Sequence, residues 1–228
     1  MKLGIIIAAY NEGSVIGSVL KSLPKEIAGL TTVSIAVDDG SDDNTYEEAK
    51  KNADYALRHV TNLGQGAAMI TGFTLAKKLK CDFVVTIDAD GQHDPKDIKR
   101  MVEPLLQGKA DMVNGSRMFD TAGMPPFKVF GNKLMNTITF IVFQKWSSDS
   151  QSGARAFSLK ALKKIDLHSM GHEVCSEMIG EAKRNKLKVV DVPIKTIYTD
   201  YSKNKGQFWL NGINILTKII IIKLAGKK

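Results

Sequence analysis

Cysteine is nearly absent from this chain. The two present, Cys81 and Cys175, lie far apart and without the paired spacing of a zinc site. That excludes a disulfide framework and reads as two small buried hydrophobes in a reducing compartment. A long N-terminal hydrophobic run is also missing. Met1-Lys2-Leu3 enters an apolar stretch of only about seven residues, which is strand length and not the core of a signal peptide. No internal repeat, collagen period or low-complexity tract is visible, so repeat arrays and disorder are set aside. Acidic excess is missing too. The 228 residues carry a net charge of +8 with 43% apolar and 25% charged residues, which suits one globular domain with a short appendage. On charge alone a solubilising basic face is the preferred reading. The late lysines, including Lys203, Lys205, Lys218, Lys223, Lys227 and Lys228, sit beside apolar sequence, which favours a membrane surface over nucleic acid.

What is present is an alternation of strands and helices. Leu3–Ala9 is a continuous apolar run, as expected of a parallel strand covered on both faces. Val15, Ile16, Val19 and Leu20 follow at helical spacing. Val33–Val37, Leu57–Val60, Phe83–Ile87 and Met112–Gly115 read as further strands, separated by helices over Asn44–Asn52 and Gly66–Leu79. A helix carrying Ile98, Met101, Val102, Leu105 and Leu106 is expected to be capped by Asp94, with Pro95 in its first turn. This rhythm predicts an α/β domain with a mainly parallel sheet. After Met124-Pro125-Pro126 come a long apolar segment (Phe130–Trp146), a polar loop (Asp149–Arg155), a helix near Glu173–Arg184, a strand at Val189–Ile194 and an apolar tail (Phe208–Leu224).

Ligands of open α/β sheets bind at the carboxyl ends of the strands. Three strands deliver polar clusters there: Tyr10-Asn11-Glu12, Asp38-Asp39-Gly40-Ser41 and Asp88-Ala89-Asp90-Gly91-Gln92-His93. Asp88 and Asp90, two apart at a strand end, can aim both carboxylates one way, with Gln92 adding a carbonyl oxygen. Such a set suits Mg²⁺ or Mn²⁺ bound together with substrate phosphates. His93 has no thiolate or histidine partner, so zinc is not expected. Asp38 and Asp39 are placed for a nucleoside ribose or base, whereas Asp42 and Asp43 read as helix caps. The glycines of Asn62-Leu63-Gly64-Gln65-Gly66-Ala67 would let a phosphate or sugar approach a helix start, or simply make a tight turn. His59, His168 and His172 carry no motif.

With these stretches assembled, the chain resembles family 2 glycosyltransferases, specifically the dolichyl-phosphate mannose synthase and polyprenyl-phosphate glycosyltransferase group. Ala9-Tyr10-Asn11-Glu12, Asp38 to Thr45, Asn62 to Ala67, Asp88 to Pro95, Gly115-Ser116-Arg117, Gln151 to Phe157, Glu177-Met178-Ile179 and Val192-Pro193-Ile194 occur in family order. The resemblance implies a GT-A fold: a Rossmann-like, mainly parallel sheet flanked by helices, here with C-terminal apolar interfacial helices. It implies a glycosyltransferase domain over 1–205 and a membrane-surface segment over 206–228. The implied donor site is Ala9, Tyr10, Glu12, Asp38, Asp39, Gly64, Gly66, Asp88, Ala89 and Lys203, with the metal on Asp88, Asp90 and Gln92. Asp90, Arg117, Asp149 and Arg155 are the implied catalytic residues, Arg117 facing a phosphate and Asp149 and Arg155 lying near the acceptor. Departures from the family pattern are Ala8, Gln65, Ala154 and Thr199-Asp200-Tyr201.

The reaction implied is inverting transfer of a hexose, from a GDP-mannose or UDP-glucose type of donor, to a polyprenyl or dolichyl phosphate. A lipid phosphate is already largely ionised at neutral pH, since its second pKa is ~6, and needs no general base. A hydroxyl acceptor would need one, and Asp149 is the natural candidate. That hydroxyl-acceptor enzyme, and a catalytically silent nucleotide-sugar-binding module, are the alternatives. Phe208–Leu224 fits lying in a membrane interface better than spanning, given its asparagines and lysines. Phe130–Trp146 is balanced between that and burial. The expected location is therefore the cytoplasmic face of a membrane, with a homo-oligomer or a membrane-protein partner as a further possibility for the tail.

Overall fold

The computed structural model describes residues 1–197. The expected tail segment 206–228, the expected donor residue Lys203 and the Thr199-Asp200-Tyr201 stretch lie outside the described residues. Among the described residues eight strands form one sheet: β1 (Lys2–Ala9), β2 (Glu26–Ile27), β3 (Leu30–Asp38), β4 (Tyr55–Arg58), β5 (Phe83–Asp88), β6 (Met112–Ser116), β7 (Arg155–Ser158) and β8 (Val189–Pro193). The helices are α1 (Ile16–Ser22), α2 (Thr45–Asn52), α3 (Gln65–Lys78), α4 (Asp97–Leu106), α5 (Pro126–Phe143), α6 (Leu159–Leu162) and α7 (Val174–Arg184).

The strand order is β2-β3-β1-β5-β7-β6-β8, with β4 also pairing with β3. β1, β3, β4, β5, β6 and β8 run parallel, as the alternation predicts. β7 is inserted against the grain between β5 and β6. Sequence periodicity does not reveal it, because four residues, Arg155–Ser158, are too short to establish a period. It matters because an antiparallel strand begins where its parallel neighbours end. Thr86 is in register with Arg155, so the chain just before β7 lies beside the end of β5.

Alternation along the strands splits the apolar residues between two cores. Leu3, Ile5 and Ile7 pack with Ile16 and Leu20 of α1 and with Ile98, Met101 and Val102 of α4. Ile6, Ile35 and Val37 pack with Ala68, Met69 and Phe73 of α3 and with Val174, Met178 and Ile179 of α7. Each such aliphatic side chain, fully buried, contributes about 1.5–3 kcal/mol. Cys81 and Cys175 are buried and free, as expected.

The caps differ from expectation. α4 begins after Lys96 with no side-chain cap. Asp94 sits outside the helix, its Oδ1 accepting from Lys96 N (2.9 Å) and its carbonyl from Asp97 N. Pro95 lies outside the helix as well. At α2 the N-cap is Asn44, without a side-chain bond, while Asp43 accepts from Thr45 N (2.9 Å). Asp42 is exposed and its N–H donates to Asn11 Oδ1.

Candidate active site

The carboxyl ends of β1, β3, β5 and β6 and the start of β7 meet along one edge of the sheet. Ala8 is in register with Asp88 on one side, and Ala9 with Asp38 on the other. Asp38, Asp39, Asp88, Asp149, Arg117 and Arg155 are thereby gathered by the topology.

Asp88 terminates β5. Its Oδ2 is hydrogen-bonded to His93 Nε2 (3.0 Å), and its Oδ1 accepts from Gln65 Nε2 (3.3 Å). Gln65 Oε1 is in turn 2.6 Å from His172 Nδ1. Burial pushes the Asp88 pKa up. The His93 hydrogen bond and charge, with Arg117 and His172, outweigh it and hold the carboxyl below its ordinary value. Asp90 moves the other way, raised by burial and by the charge of Asp88, with Glu12 adding to it. Gln92 N and Nε2 both donate to Asp90, at 3.0 and 2.6 Å. Gln92 therefore holds Asp90 through its amide nitrogen, where the sequence suggested a carbonyl ligand.

A carboxylate whose proton affinity is raised by a second carboxylate beside it suits a cation. Among the described residues no group of three or more His, Cys, Asp and Glu converges on one point. Mg²⁺ is commonly held by one or two carboxylates completed by phosphate and water oxygens.

Arg117 lies just beyond β6. Its Nε and Nη2 donate to the two oxygens of Asp149 at 2.7 and 2.9 Å, and its backbone N–H adds a third bond at 3.1 Å. Burial works to lower the Arg117 pKa, but Asp149 outweighs it and the net shift is upward. Asp149 has no exposed side-chain surface. Arg155 is also buried, with Nη2 donating to Ser150 O (2.8 Å) and burial pulling its pKa down. An acceptor-facing Arg155 is not what the structure shows. Its guanidinium lies inside the fold, and its Nε and Nη1 have no hydrogen-bond partner among the described residues.

The remaining expectations are met unevenly. Tyr10 is exposed at the site edge, while Ala9, Glu12 and Ala89 are buried. Asp38 accepts from Ser41 N and Oγ and lies 3.2 Å from Arg58 Nε. Asp39 accepts from Leu63 N, Gly64 N and His59 Nδ1 at 3.1, 2.7 and 2.7 Å, and His59 Nε2 reaches Thr71 Oγ1 (2.9 Å). Asp39 is therefore occupied within the protein, whereas Asp38 Oδ2 is buried with the Arg58 ion pair and no hydrogen-bond partner among the described residues. Gly64 and Gly66 do not open the α3 terminus to a phosphate. A Cβ on Gly66 would stand 2.0 Å from Ser169 O, one on Gly64 2.4 Å from Met170 O, and Ala67 N already donates to Met170 O. The glycines admit a crossing chain.

Sequence reasoning missed Gln65, His93, His172, His59 and Gly153 as members of the site. His93 had a signal, because it closes the Asp88–His93 turn on Asp88 itself. His172 had none, since it comes from a loop far along the chain. A Cβ on Gly153 would fall 2.2 Å from Asp88 Oδ1, so only glycine fits beside that carboxylate.

Residues 4–166 match the profile described as glycosyl transferase family 2. The chain belongs to that family. This family 2 glycosyltransferase is 39% identical to the UDP-N-acetylglucosamine–dolichyl-phosphate N-acetylglucosaminyltransferase of Methanococcus voltae, over 97% of this chain and 96% of that one. It is 28% identical to the dolichol-phosphate mannosyltransferase of Pyrococcus furiosus, over 99% of this chain and 69% of that one. The group resemblance read from the motifs therefore holds. The fold is GT-A. It superposes with a TM-score of 0.72 on glucosyl-3-phosphoglycerate synthase from Mycobacterium tuberculosis, crystallised with Mn²⁺, uridine diphosphate and phosphoglyceric acid. The two are 18% identical, and the match covers 99% of this chain and 78% of that one.

Proposed function

We propose that this glycosyltransferase moves a sugar from a nucleotide-diphosphate donor to a polyprenyl or dolichyl phosphate at the cytoplasmic surface of a membrane. Mg²⁺ or Mn²⁺ would be held by Asp88 and Asp90 against the donor diphosphate. The observation that carries the acceptor reading is the Arg117–Asp149 clasp. Asp149 is the carboxylate a hydroxyl acceptor would need as its base, yet both its oxygens are taken by Arg117 and it is fully buried. A phosphate acceptor arrives already ionised and needs no base.

The reaction forms a bond between an acceptor phosphate oxygen and the anomeric carbon, and breaks the bond from that carbon to the donor β-phosphate. The nucleoside diphosphate leaves with the electron pair. A divalent ion, when bound, neutralises charge growing on that leaving group. The protein's own part is positioning. His93 and Gln65 orient Asp88, Gln92 orients Asp90, and Asp149 holds the Arg117 guanidinium beside Asp88 to receive phosphate charge. Arg155, through Ser150 O, fixes the loop that carries Asp149. The full-length likeness to an N-acetylglucosaminyltransferase makes a UDP-N-acetylhexosamine the donor to test first, ahead of UDP-glucose and GDP-mannose.

The test is transfer of labelled sugar from a panel of UDP- and GDP-sugars into organic-extractable polyprenyl phosphate, with Mg²⁺ or Mn²⁺ and a chelator control. Chelator-sensitive label in the lipid phase with one donor is the expected result. Label passing only to hydroxyl compounds would overturn the acceptor reading and return Asp149 to the role of base.

A further inference from the structure

Helix α5 is rich in apolar residues, yet Asn136 and Thr139 are among the few that it buries. A buried polar side chain is costly unless it is bonded. Both of these are bonded toward the loop that carries Asp149. Asn136 Nδ2 donates to Ser148 O (2.6 Å), and Asn136 Oδ1 accepts from Ser150 N (2.8 Å). Thr139 Oγ1 lies 3.1 Å from Ser176 Oγ, to which Gln151 Nε2 donates at 3.0 Å. Asn136 therefore clamps the backbone on both sides of Asp149.

The sheet clamps the same backbone from beneath. Asp191 of β8 accepts from Ser148 N (2.6 Å), Asn114 of β6 donates from Nδ2 to Asp149 O (3.1 Å), and Arg155 of β7 donates from Nη2 to Ser150 O (2.8 Å). Asp191, Asn114 and Arg155 are in register on adjacent strands, so they stand in one row on one face. Any buried loop must satisfy its backbone groups. What sets this one apart is the side chain it carries. Asp149 has only two side-chain torsions, and its two oxygens take Nε, Nη2 and the backbone N–H of Arg117. Fixing the backbone at Asp149 thus fixes the Arg117 guanidinium. Among the described residues, the hydrogen bonds of Asp39, Asp88 and Asp90 come from elsewhere: His59, Leu63 and Gly64, then Gln65 and His93, then Gln92. The two halves of the site are held by different clamps.

We propose that Asn136 is a positioning residue for the acceptor: through Ser148 and Ser150 it sets Asp149, and through Asp149 it aims the Arg117 guanidinium at the incoming phosphate. This rests on the phosphate-acceptor reading given above. Asp191 acts in the same way from the opposite side of the loop. A guanidinium aimed in advance loses little on meeting its ligand, and one left loose meets it in the wrong place.

Kinetics of the full chain with a short-chain, detergent-soluble polyprenyl phosphate test this, beside calorimetric affinity for UDP with Mn²⁺ and a thermal melt. In Asn136→Ala, kcat/KM for the acceptor should fall by about 100-fold. Its KM for donor and its UDP affinity should stay within about twofold of wild type. Asp191→Ala should shift the same balance the same way. Asp191→Asn, whose amide oxygen still accepts from Ser148 N, should recover most of the loss, which a role in bulk packing would not predict. If Asn136→Ala does not fold, the Asp191 pair decides, since Asp191 is only half-buried. Acceptor kinetics like wild type, an equal loss on the donor side, or no difference between Asp191→Ala and Asp191→Asn would overturn the proposal. Wild type that transfers only to a hydroxyl compound would overturn the acceptor reading instead, and the same split between acceptor and donor, measured with that compound, would still decide the role of Asn136.

Discussion

Gly153→Ala tests the geometry of the site with a single methyl group. A Cβ there would meet Asp88 Oδ1 at 2.2 Å, Cγ at 2.6 Å and Oδ2 at 2.6 Å. Comfortable carbon contacts begin near ~3.5 Å, so the carboxylate and the methyl must part by about 1 Å. Asp88 cannot yield freely. It would stretch its bonds to His93 and Gln65, each worth about 0.5–1.5 kcal/mol. The backbone cannot yield freely either, because Arg155 two residues on is in register with Thr86 in the sheet. Overpacking of this kind costs about 1–3 kcal/mol. At roughly 2–4 °C per kcal/mol, the melting temperature should fall by several degrees. Misplacing a group by about 1 Å at a reacting centre can cost about 100-fold in rate. The assay is initial transfer rate at saturating metal, beside Mn²⁺ affinity from the electron paramagnetic resonance signal of free Mn²⁺. Turnover should fall about 100-fold with weakened Mn²⁺ binding. Gly131→Ala is the control, since a Cβ there meets nothing within 4 Å. A Gly153→Ala protein that turns over and binds Mn²⁺ as wild type does would refute the role given to Asp88.

Asp90→Asn should abolish Mn²⁺ binding while leaving the metal-free protein as stable or more so in thermal melts, because it removes the repulsion between Asp88 and Asp90 and a turned Gln92 amide can still bond the new side chain. A marked loss of stability would show that the two carboxylates are not in conflict. Asp149→Ala should cost about 3–5 kcal/mol in denaturant unfolding by stranding Arg117, and the Arg117→Ala/Asp149→Ala pair should cost less than the sum of the single changes. Additive costs would mean the clasp is not a unit. His59→Phe should destabilise by about 1–3 kcal/mol by unpairing Asp39 and Thr71. It should also raise the KM for donor more than it lowers kcat, and the opposite split would remove His59 from the donor side.

How much of this was legible beforehand follows from what sequence patterns encode. Leu3–Ala9 and Phe83–Ile87 announced themselves because buried parallel strands are apolar throughout, and the Asp-x-Asp turn followed from its place after one of them. The gathering of three polar clusters on one edge needed only strand polarity. What escaped was long-range. β7 is short and antiparallel, so no periodicity marks it. His172 reaches Gln65 from a distant loop. The glycines at 64 and 66 looked like a phosphate cradle because a turn that admits a ligand and a turn that admits another stretch of backbone use the same residue. Arg155 was picked out by its motif, but no motif reports burial, and the structure places it beneath the loop it was expected to project from.

The reversed strand β7 also dictates an order of assembly. As the chain leaves the ribosome, β1, β3, β4 and β5 can form a parallel ribbon by themselves. β6 emerges next but has no partner in it, because its neighbours in the finished sheet are β7 and β8. Until Arg155–Ser158 has been synthesised, the outer edge of β5 stays bare, with Val84 and Val85 beside it. An uncovered apolar edge invites pairing with another nascent chain. The short strand that completes the catalytic edge is thus also the piece that closes the sheet, and an N-terminal fragment ending before β7 should be insoluble however well its helices form.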